Sequence, residues 1–146
     1  MPARKKITKS TAGRPPRRTL ESRKKMIVAH VEALPFGAAS PVGLGHLALE
    51  VKGKRFAYVL DNHHGNARLA INAKMAKGVQ DALVSKSPER FHVPAYVGKQ
   101  GWVGLWIDLP AFDWSEVEDL LNEAYRLRAP AKIAGLLEPG ALFRDL

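Results

Sequence analysis

The hydrophobic pattern changes from a helical period to a strand period between the first two predicted elements, and this change constrains the fold most. Ile27, Val31 and Leu34 recur at the spacing of one helix face, which predicts a first helix over residues 19–34. In residues 46–51 apolar and polar side chains alternate instead, as in a strand with one buried face. Because strands and helices do not alternate regularly afterwards, the pattern excludes a βαβ architecture.

The remaining elements follow from the same two periods and from the glycine and proline residues between them. We expect a loop over residues 36–45, between the first helix and the first strand. An antiparallel sheet with the N- and C-terminal helices packed on one face is the predicted α+β architecture. The other predicted strands cover residues 55–60, 67–72, 91–97 and 102–109, and the other predicted helices are 73–84, a last helix capped by Asp113, and a short helix over 133–137 or a frayed end.

The last of the long helices has clear signals at both ends. Asp113 is a predicted N-cap, and Glu116 stands three residues later, as in a capping box. Arg126 and Arg128 lie at the C-terminal end, where the helix dipole favours positive charge. The predicted buried stripe consists of Val117, Leu120, Leu121, Ala124 and Leu127.

Positive charge is concentrated at the N-terminus. The 146-residue chain has a formal net charge of +9, and residues 1–25 hold ten lysine or arginine residues and one acid. The remainder is neutral in sum, but residues 51–100 carry nine bases and three acids, whereas residues 101–146 carry four bases and eight acids. A basic arm and a basic half of the fold are therefore expected, and both favour polyanionic partners.

Three regions are predicted along the chain. Residues 1–18 combine three prolines and repeated charge with almost no apolar content, which predicts a disordered arm. An α+β domain over residues 19–133 and an extension over residues 134–146 follow. The chain has no cysteine, which excludes disulfides and cysteine nucleophiles, and it has no run of 18 apolar residues to span a membrane. A cytoplasmic protein without a membrane partner is expected.

Four segments, in order along the chain, resemble the MmcQ/YjbR-like family. Residues 45–57 (GHLALEVKGKRFA) resemble its GHxxFxVxGKxFA hairpin, and residues 96–103 (YVGKQGWV) resemble its YxGKxGWV turn. Residues 123–127 (EAYRL) resemble its ESYRL helix end, and Leu34-Pro35 its helix stop. The resemblance covers roughly residues 20–133 and implies a bacterial protein with a CyaY-like α+β fold. Family members are often labelled DNA-binding because the fold looks like a double-winged DNA-binding domain.

These features predict a non-catalytic protein that binds nucleic acid, with DNA favoured, largely without regard to sequence. A cationic arm binds phosphates by releasing counterions, and two basic hairpin tips suit wings that grip a duplex backbone. Association with the bacterial nucleoid would follow. The candidate nucleic-acid-binding residues are Arg4, Lys5, Lys6, Lys9, Arg14, Arg17 and Arg18 in the arm, Lys52, Lys54 and Arg55 at one hairpin tip, and Lys99 at the other.

An aromatic sheet face is the alternative interpretation. Tyr58, Tyr96, Trp102 and Trp106 form a candidate ligand face for a small molecule or a protein whose identity the sequence leaves open. Ordinary packing of these rings is the competing explanation. A concave apolar pocket on this face would favour the alternative, whereas a continuous basic stripe would favour nucleic acid.

Neither a metal, a cofactor nor an enzymatic activity is predicted. His63-His64 is the only adjacent histidine pair, with Asp61 nearby, but no established metal-binding motif surrounds it. No P-loop, GxSxG, HExxH or dinucleotide-binding fingerprint is present. His46 lies beside a glycine-rich loop without an identifiable nucleophile or orienting partner.

Overall fold

A computed structural model describes residues 13–144, apart from the side chain of His64. Six antiparallel strands form one open sheet in the order β1-β2-β3-β4-β6-β5. The strands are β1 (Gly37–Gly43), β2 (His46–Val51), β3 (Lys54–Asp61), β4 (Leu69–Ala73), β5 (Phe91–His92) and β6 (Val103–Trp106). The helices are α1 (Arg17–Ala33), α2 (Val79–Lys86), α3 (Trp114–Arg128), α4 (Ala131–Ala134) and α5 (Ala141–Arg144). The predicted α+β class is confirmed.

Helices α1 and α3 cover one face of the sheet. Ile27 and Val31 of α1 and Leu121 and Tyr125 of α3 are fully buried in one hydrophobic cluster. These helix residues pack against the strand side chains that point towards the helices. The Phe56 and Tyr125 rings contact each other edge to face, with their centroids 5.8 Å apart. The burial of these side chains stabilises the fold by roughly 1.5–3 kcal/mol each. The strand residues on this face are Leu49, Val51, Ala57, Val59, Ile71, Ala73, Val103 and Leu105.

Helix ends coincide with prolines and with a side-chain cap. Helix α1 begins directly after Pro16, two residues before the predicted start, because Pro15-Pro16 cannot continue a helix towards the N-terminus. It ends with Leu34 in an extended conformation, as Pro35 requires of its predecessor. Asp113 accepts hydrogen bonds from the Ser115 and Glu116 amides and caps α3, which confirms the predicted N-cap.

The predicted loop over residues 36–45 was wrong, because most of it forms strand β1. This edge strand pairs with β2 along its length through a two-residue turn at Leu44 and Gly45, which have φ angles of 56° and 84°. Its sequence, GAASPVG, lacks the alternation of a half-buried strand. Pro41, which has no N–H group, is tolerated because the strand lies at the edge.

Several other predicted boundaries were also wrong. The helix predicted over residues 73–84 is α2, displaced to Val79–Lys86, because β4 runs to Ala73 and a turn follows. The strands predicted over 91–97 and 102–109 shrink to β5 and β6, since Val97–Gln100 forms a 3-10 turn between them. The end of the chain holds α4 and α5 in place of a helix over 133–137. None of the helices in the described part of the chain has the length and apolar content needed to cross a bilayer.

Candidate nucleic-acid interface and sheet-face pocket

One end of the sheet gathers six positive side chains, and we call it the basic end. Strands β2 and β4 finish at this end, and β3 and β6 begin there, because neighbouring strands are antiparallel. The β2–β3 turn therefore lies beside the segment that follows β4 and the 3-10 turn that precedes β6. The basic end consists of Lys52, Lys54, Arg55, Lys74, Lys77 and Lys99.

The β2–β3 turn presents the first three of these cations to solvent. Lys52 and Gly53 both have positive φ angles, of 49° and 78°, as a two-residue type I′ hairpin turn requires. The Lys52 ammonium lies 4.3 Å from the centroid of the Phe36 ring, which is 62% exposed. Arg55 forms an exposed ion pair with Glu50 at 3.4 Å. The turn is thus a rigid, basic hairpin tip with an aromatic side chain beside it.

A second group of cations surrounds a cleft of about 540 Å³ at the same end. Lys74, Lys77 and Lys99 line this cleft, and the acid that lines it is Asp81. The Gln80 amide holds the wall in place by donating hydrogen bonds to the carbonyl oxygens of Gly98 at 2.8 Å and Trp102 at 2.6 Å. The three lysines thus border one preformed depression, a geometry suited to an anionic group.

Tyr96 adds an exposed ring to the basic end. It precedes the 3-10 turn, is 75% exposed, and has a φ angle of 67°. A positive φ is unfavourable for a residue with a Cβ, and such conformations are concentrated at binding and switch sites. Exposed rings among cations are the combination with which proteins bind single nucleic-acid strands.

The opposite end of the sheet also holds several cations, but acids or backbone carbonyls pair with them, and we call it the ion-paired end. It consists of Arg14, Arg17, Lys24, Asp61, Arg68 and Asp108.

Asp61 binds two of these cations. Arg17 donates hydrogen bonds to both Asp61 carboxylate oxygens, and the Lys24 ammonium lies 3.2 Å from one of them. Burial alone would raise the pKa of Asp61, but these two cations outweigh it and lower the pKa below its usual value. Arg17 is therefore committed to a contact within the fold.

Asp108 is fully buried and organises the other half of the ion-paired end. Its carboxylate accepts hydrogen bonds from Arg68 at 2.8 and 2.9 Å and from the Leu69 amide at 2.9 Å. Burial would raise the pKa of Asp108, yet these donors lower it, so the group stays ionised. Arg14 lies 3.8 Å from the same carboxylate and donates a 2.6 Å hydrogen bond to the Ala67 carbonyl oxygen.

The structure therefore separates the predicted nucleic-acid-binding residues into three groups. Lys52, Lys54, Arg55 and Lys99 share the basic end. Arg14 and Arg17 lie at the ion-paired end, and Arg18 is exposed on the first turn of α1. Arg4, Lys5, Lys6 and Lys9 lie outside the described residues.

Tyr58, Trp102 and Trp106 of the predicted aromatic face lie on the same sheet face, whereas Tyr96 precedes the 3-10 turn. Trp102 is 4% exposed and packs beside Tyr58, with ring centroids 5.8 Å apart. Trp106 lies further along β6, and Tyr96 belongs to the basic end. Trp106 alone of the four lines a pocket on the sheet face that α1 and α3 leave uncovered.

This depression, the sheet-face pocket, has a volume of about 240 Å³. Strand pairing places Leu60 opposite Ala70 and Ala70 opposite Trp106, so these three side chains point to the same face. Asn72, one alternation further along β4, also lines the pocket. The remaining lining residues are His63, Asn66, Arg68, His92, Pro94 and Ala95.

Three stacked groups build one wall of the pocket. The His92 and Trp106 rings stack with centroids 3.9 Å apart, and the Arg68 guanidinium lies 3.7 Å from the centroid of the Trp106 ring. His92 lies directly over Gly104, where any Cβ would overlap the imidazole. Burial, together with the positive charge of Arg68, lowers the pKa of His92 to about 4, so the ring is neutral at physiological pH.

Several of these residues were not among the predicted site residues. Lys74 and Lys77 follow a strand whose predicted end was one residue too early, so their proximity to the β2–β3 turn was not anticipated. Asn72 interrupts the apolar run LAINA of β4, and a polar side chain inside a central strand is a signal that sequence analysis could have used. The position of the His92 ring depends on Gly104, its partner in the β5–β6 strand pair, and this pairing between separate strands was not part of the sequence prediction.

An open antiparallel sheet with helices on one face defines the class of this protein: a small α+β domain. The chain belongs to the YjbR family, whose model matches residues 30–127. This membership confirms the predicted family. In the described part of the chain, no group of three or more histidine, cysteine, aspartate or glutamate side chains is arranged to hold a metal ion.

A solved structure has the same fold. The crystal structure of Deinococcus radiodurans protein DR2400, with a DUF419 domain, is 17% identical and superposes with a TM-score of 0.57. The match covers 69% of this chain and 74% of that one. No curated protein sequence matches the chain. The structural similarity supports the fold and carries no information about ligands.

Proposed function

We propose that the protein binds nucleic acid without catalysis, with DNA as the favoured polymer, through the phosphate backbone at its basic end. The observation that carries the proposal is the convergence of six lysine and arginine side chains at one end of the sheet. The acids in contact with this group are Glu50 and Asp81. Such a surplus of cations favours a polyanion over a neutral partner, and it specifies phosphates rather than a base sequence.

The shape of the basic end supports the same proposal. The segment after β4 and the 3-10 turn before β6 border the lysine-lined cleft, and the β2–β3 tip lies at the same end of the sheet, so a backbone could contact both the cleft and the tip. Phe36 and Tyr96 add exposed rings at this end. The four cations among residues 1–12 extend the positive charge of the molecule and are proposed as an accessory arm.

A triple substitution at the basic end tests the proposal. Lys54, Lys77 and Lys99 are exposed and form no ion pair with another described residue, so K54Q/K77Q/K99Q leaves the fold intact. The matched control, K25Q/K86Q/K132Q, removes the same charge from exposed lysines elsewhere. Binding of a labelled random-sequence duplex is measured by fluorescence anisotropy over a salt series.

The two variants have different expected slopes of log affinity against log salt concentration. Each lost phosphate contact lowers the slope by about 0.9, so the basic-end variant loses about 2.7 and the control stays near the wild-type slope. Equal slopes for the two variants would show that net charge alone attracts the polymer, and the proposed interface would be rejected.

A further inference from the structure

Asn72 is a largely buried residue whose side-chain amide is accessible from the sheet-face pocket. It is 6% exposed and lines the sheet-face pocket. No hydrogen bond joins its side-chain amide to another residue in the 13–144 range. A polar group that opens into a pocket on an otherwise apolar sheet face can fix the orientation of a bound ligand. The amide offers one donor group and one acceptor, side by side.

Two other polar residues of the pocket, His92 and Arg68, add no net charge when Arg68 is counted with its Asp108 partner. The His92 ring is neutral, and the Arg68 guanidinium is neutralised by its two hydrogen bonds to the Asp108 carboxylate. The Nδ1 atom of His92 is also buried without a partner among the described residues. A neutral ligand with hydrogen-bonding nitrogen and oxygen atoms therefore fits the pocket better than an ion does.

The size and surface of the pocket restrict the ligand further. Its volume of about 240 Å³ lies below the roughly 300–1,000 Å³ typical of drug-sized ligands, so it accommodates one small ring system. Ala70 provides a small side chain on the floor, and the stacked rings of His92 and Trp106 form a wall. Flat aromatic walls favour planar ligands through stacking and edge contacts.

We propose that the sheet-face pocket binds a single unstacked nucleobase, with the Asn72 amide paired to the base edge beside the Trp106–His92 stack. Asparagine is suited to such pairing because its donor and acceptor match those of a base edge. The base is supplied either by a single strand of nucleic acid or as a free nucleoside. The first source rests on the proposed function, since the same polymer would contact the basic end.

The pocket and the basic end are neighbours, which favours the strand as the source. Asn72 in β4 precedes Lys74, the first residue after the strand, by two residues, a separation of about 7 Å in extended chain. On the other side, the Pro94–Ala95 rim of the pocket leads directly to Tyr96. A base held in the pocket would therefore leave its own backbone close to the lysines. Bases within a duplex are paired and stacked, so only an unpaired base can enter.

The experiment compares strands that differ only in their bases. Full-length protein is titrated with a labelled single-stranded DNA and with an abasic strand of the same length, and adenosine, guanosine, cytidine and thymidine are titrated separately by calorimetry. Because a base in the pocket gains hydrogen bonds to Asn72 and contacts with ring edges that an abasic site lacks, the natural strand should bind about tenfold more tightly than the abasic strand. No variant is needed for this comparison, so its result does not depend on a mutant that folds.

Two variants locate the base. Ala70→Leu fills the floor of the pocket, and Asn72→Leu removes the amide at similar volume; each should abolish the preference for the natural strand. The K54Q/K77Q/K99Q variant should weaken both strands equally and keep the ratio between them. Thermal unfolding of each variant confirms that it is folded.

Each result decides the proposal. If the natural strand binds more tightly than the abasic strand and Ala70→Leu removes this difference, the source of the base is a strand. If nucleosides bind but the two strands bind equally, the source is a free nucleoside. Equal affinity for natural and abasic strands, together with no nucleoside binding, overturns the inference. That result leaves the proposed function standing if both strands still bind with the lysine-dependent salt slope, whereas the proposed function fails if neither these strands nor the random-sequence duplex binds.

Discussion

The fully buried Asp108 and the partly buried His92 show how single residues set the properties of this surface. Asp108 is ionised because Arg68 and the Leu69 amide compensate for its loss of water. The same Arg68 charge lies near His92 and helps to keep that imidazole neutral. Arg68 therefore helps to lower the pKa of both groups, which leaves Asp108 charged and His92 neutral at physiological pH.

The lowered pKa of His92 predicts a pH-dependent stability. In the unfolded chain the imidazole has its ordinary pKa of 6.5, whereas in the fold the pKa is about 4. Between these values the unfolded state binds a proton that the folded state does not, so stability falls as pH decreases from 6.5 towards 4. Because the ring is only partly buried, we expect the wild type to lose about 1 kcal/mol between pH 7.5 and pH 5 through this residue.

Urea denaturation at the two pH values measures this loss in the wild type and in His92→Gln. Glutamine does not titrate, so the variant should lose about 1 kcal/mol less than the wild type over the same interval. Between pH 7.5 and pH 8 the imidazole is neutral in both states, and the two proteins should change alike. If His92→Gln retained the full wild-type loss at pH 5, another group would be responsible.

At the scale of elements, the sequence was most informative where periodicity and end signals agreed. Strands β2 and β3 and helices α1 and α3 have clear apolar stripes, and prolines or Asp113 mark the helix ends. Strand β1 was missed because an edge strand pairs through its backbone, which needs no apolar alternation. The pocket was missed because His92, Gly104 and Asn72 meet only across paired strands.

Helix α3 provides a prediction at this scale. The Asp113 carboxylate accepts hydrogen bonds from the Ser115 amide at 3.0 Å and the Glu116 amide at 3.4 Å, and it has the favourable negative charge at a helix N-terminus. Asp113→Ala should therefore reduce the free energy of unfolding by about 1 kcal/mol. Asp113→Asn, which keeps a capping oxygen, should cost clearly less. Urea denaturation compares the two, and equal losses would show that the charge alone stabilises the helix.

At the scale of the whole molecule, the two ends of the sheet have different electrostatic roles. The cations at the ion-paired end bind carboxylates and backbone carbonyls and hold α1 against the sheet. Those at the basic end have few acidic partners. The predicted arm was expected to act together with the hairpin tips, but the described chain begins at the far end, where Gly13 lies beside Pro110. The eight residues of β3 separate these ends by about 23 Å.

This separation predicts that the arm and the basic end contribute to binding independently. A chain starting at Gly13 removes the four cations of residues 1–12 and keeps Leu20 and Arg23, which are buried in α1. Fluorescence anisotropy measures how tightly the labelled random-sequence duplex binds to the truncated protein, to the K54Q/K77Q/K99Q variant and to a protein that combines both changes. For sites that share no partners, the losses of binding free energy should add within about 0.5 kcal/mol. The protein with both changes could instead bind the duplex as tightly as the weaker-binding of the two singly changed proteins. In that case the arm and the basic end contact the same phosphates, and the arm must reach across the sheet.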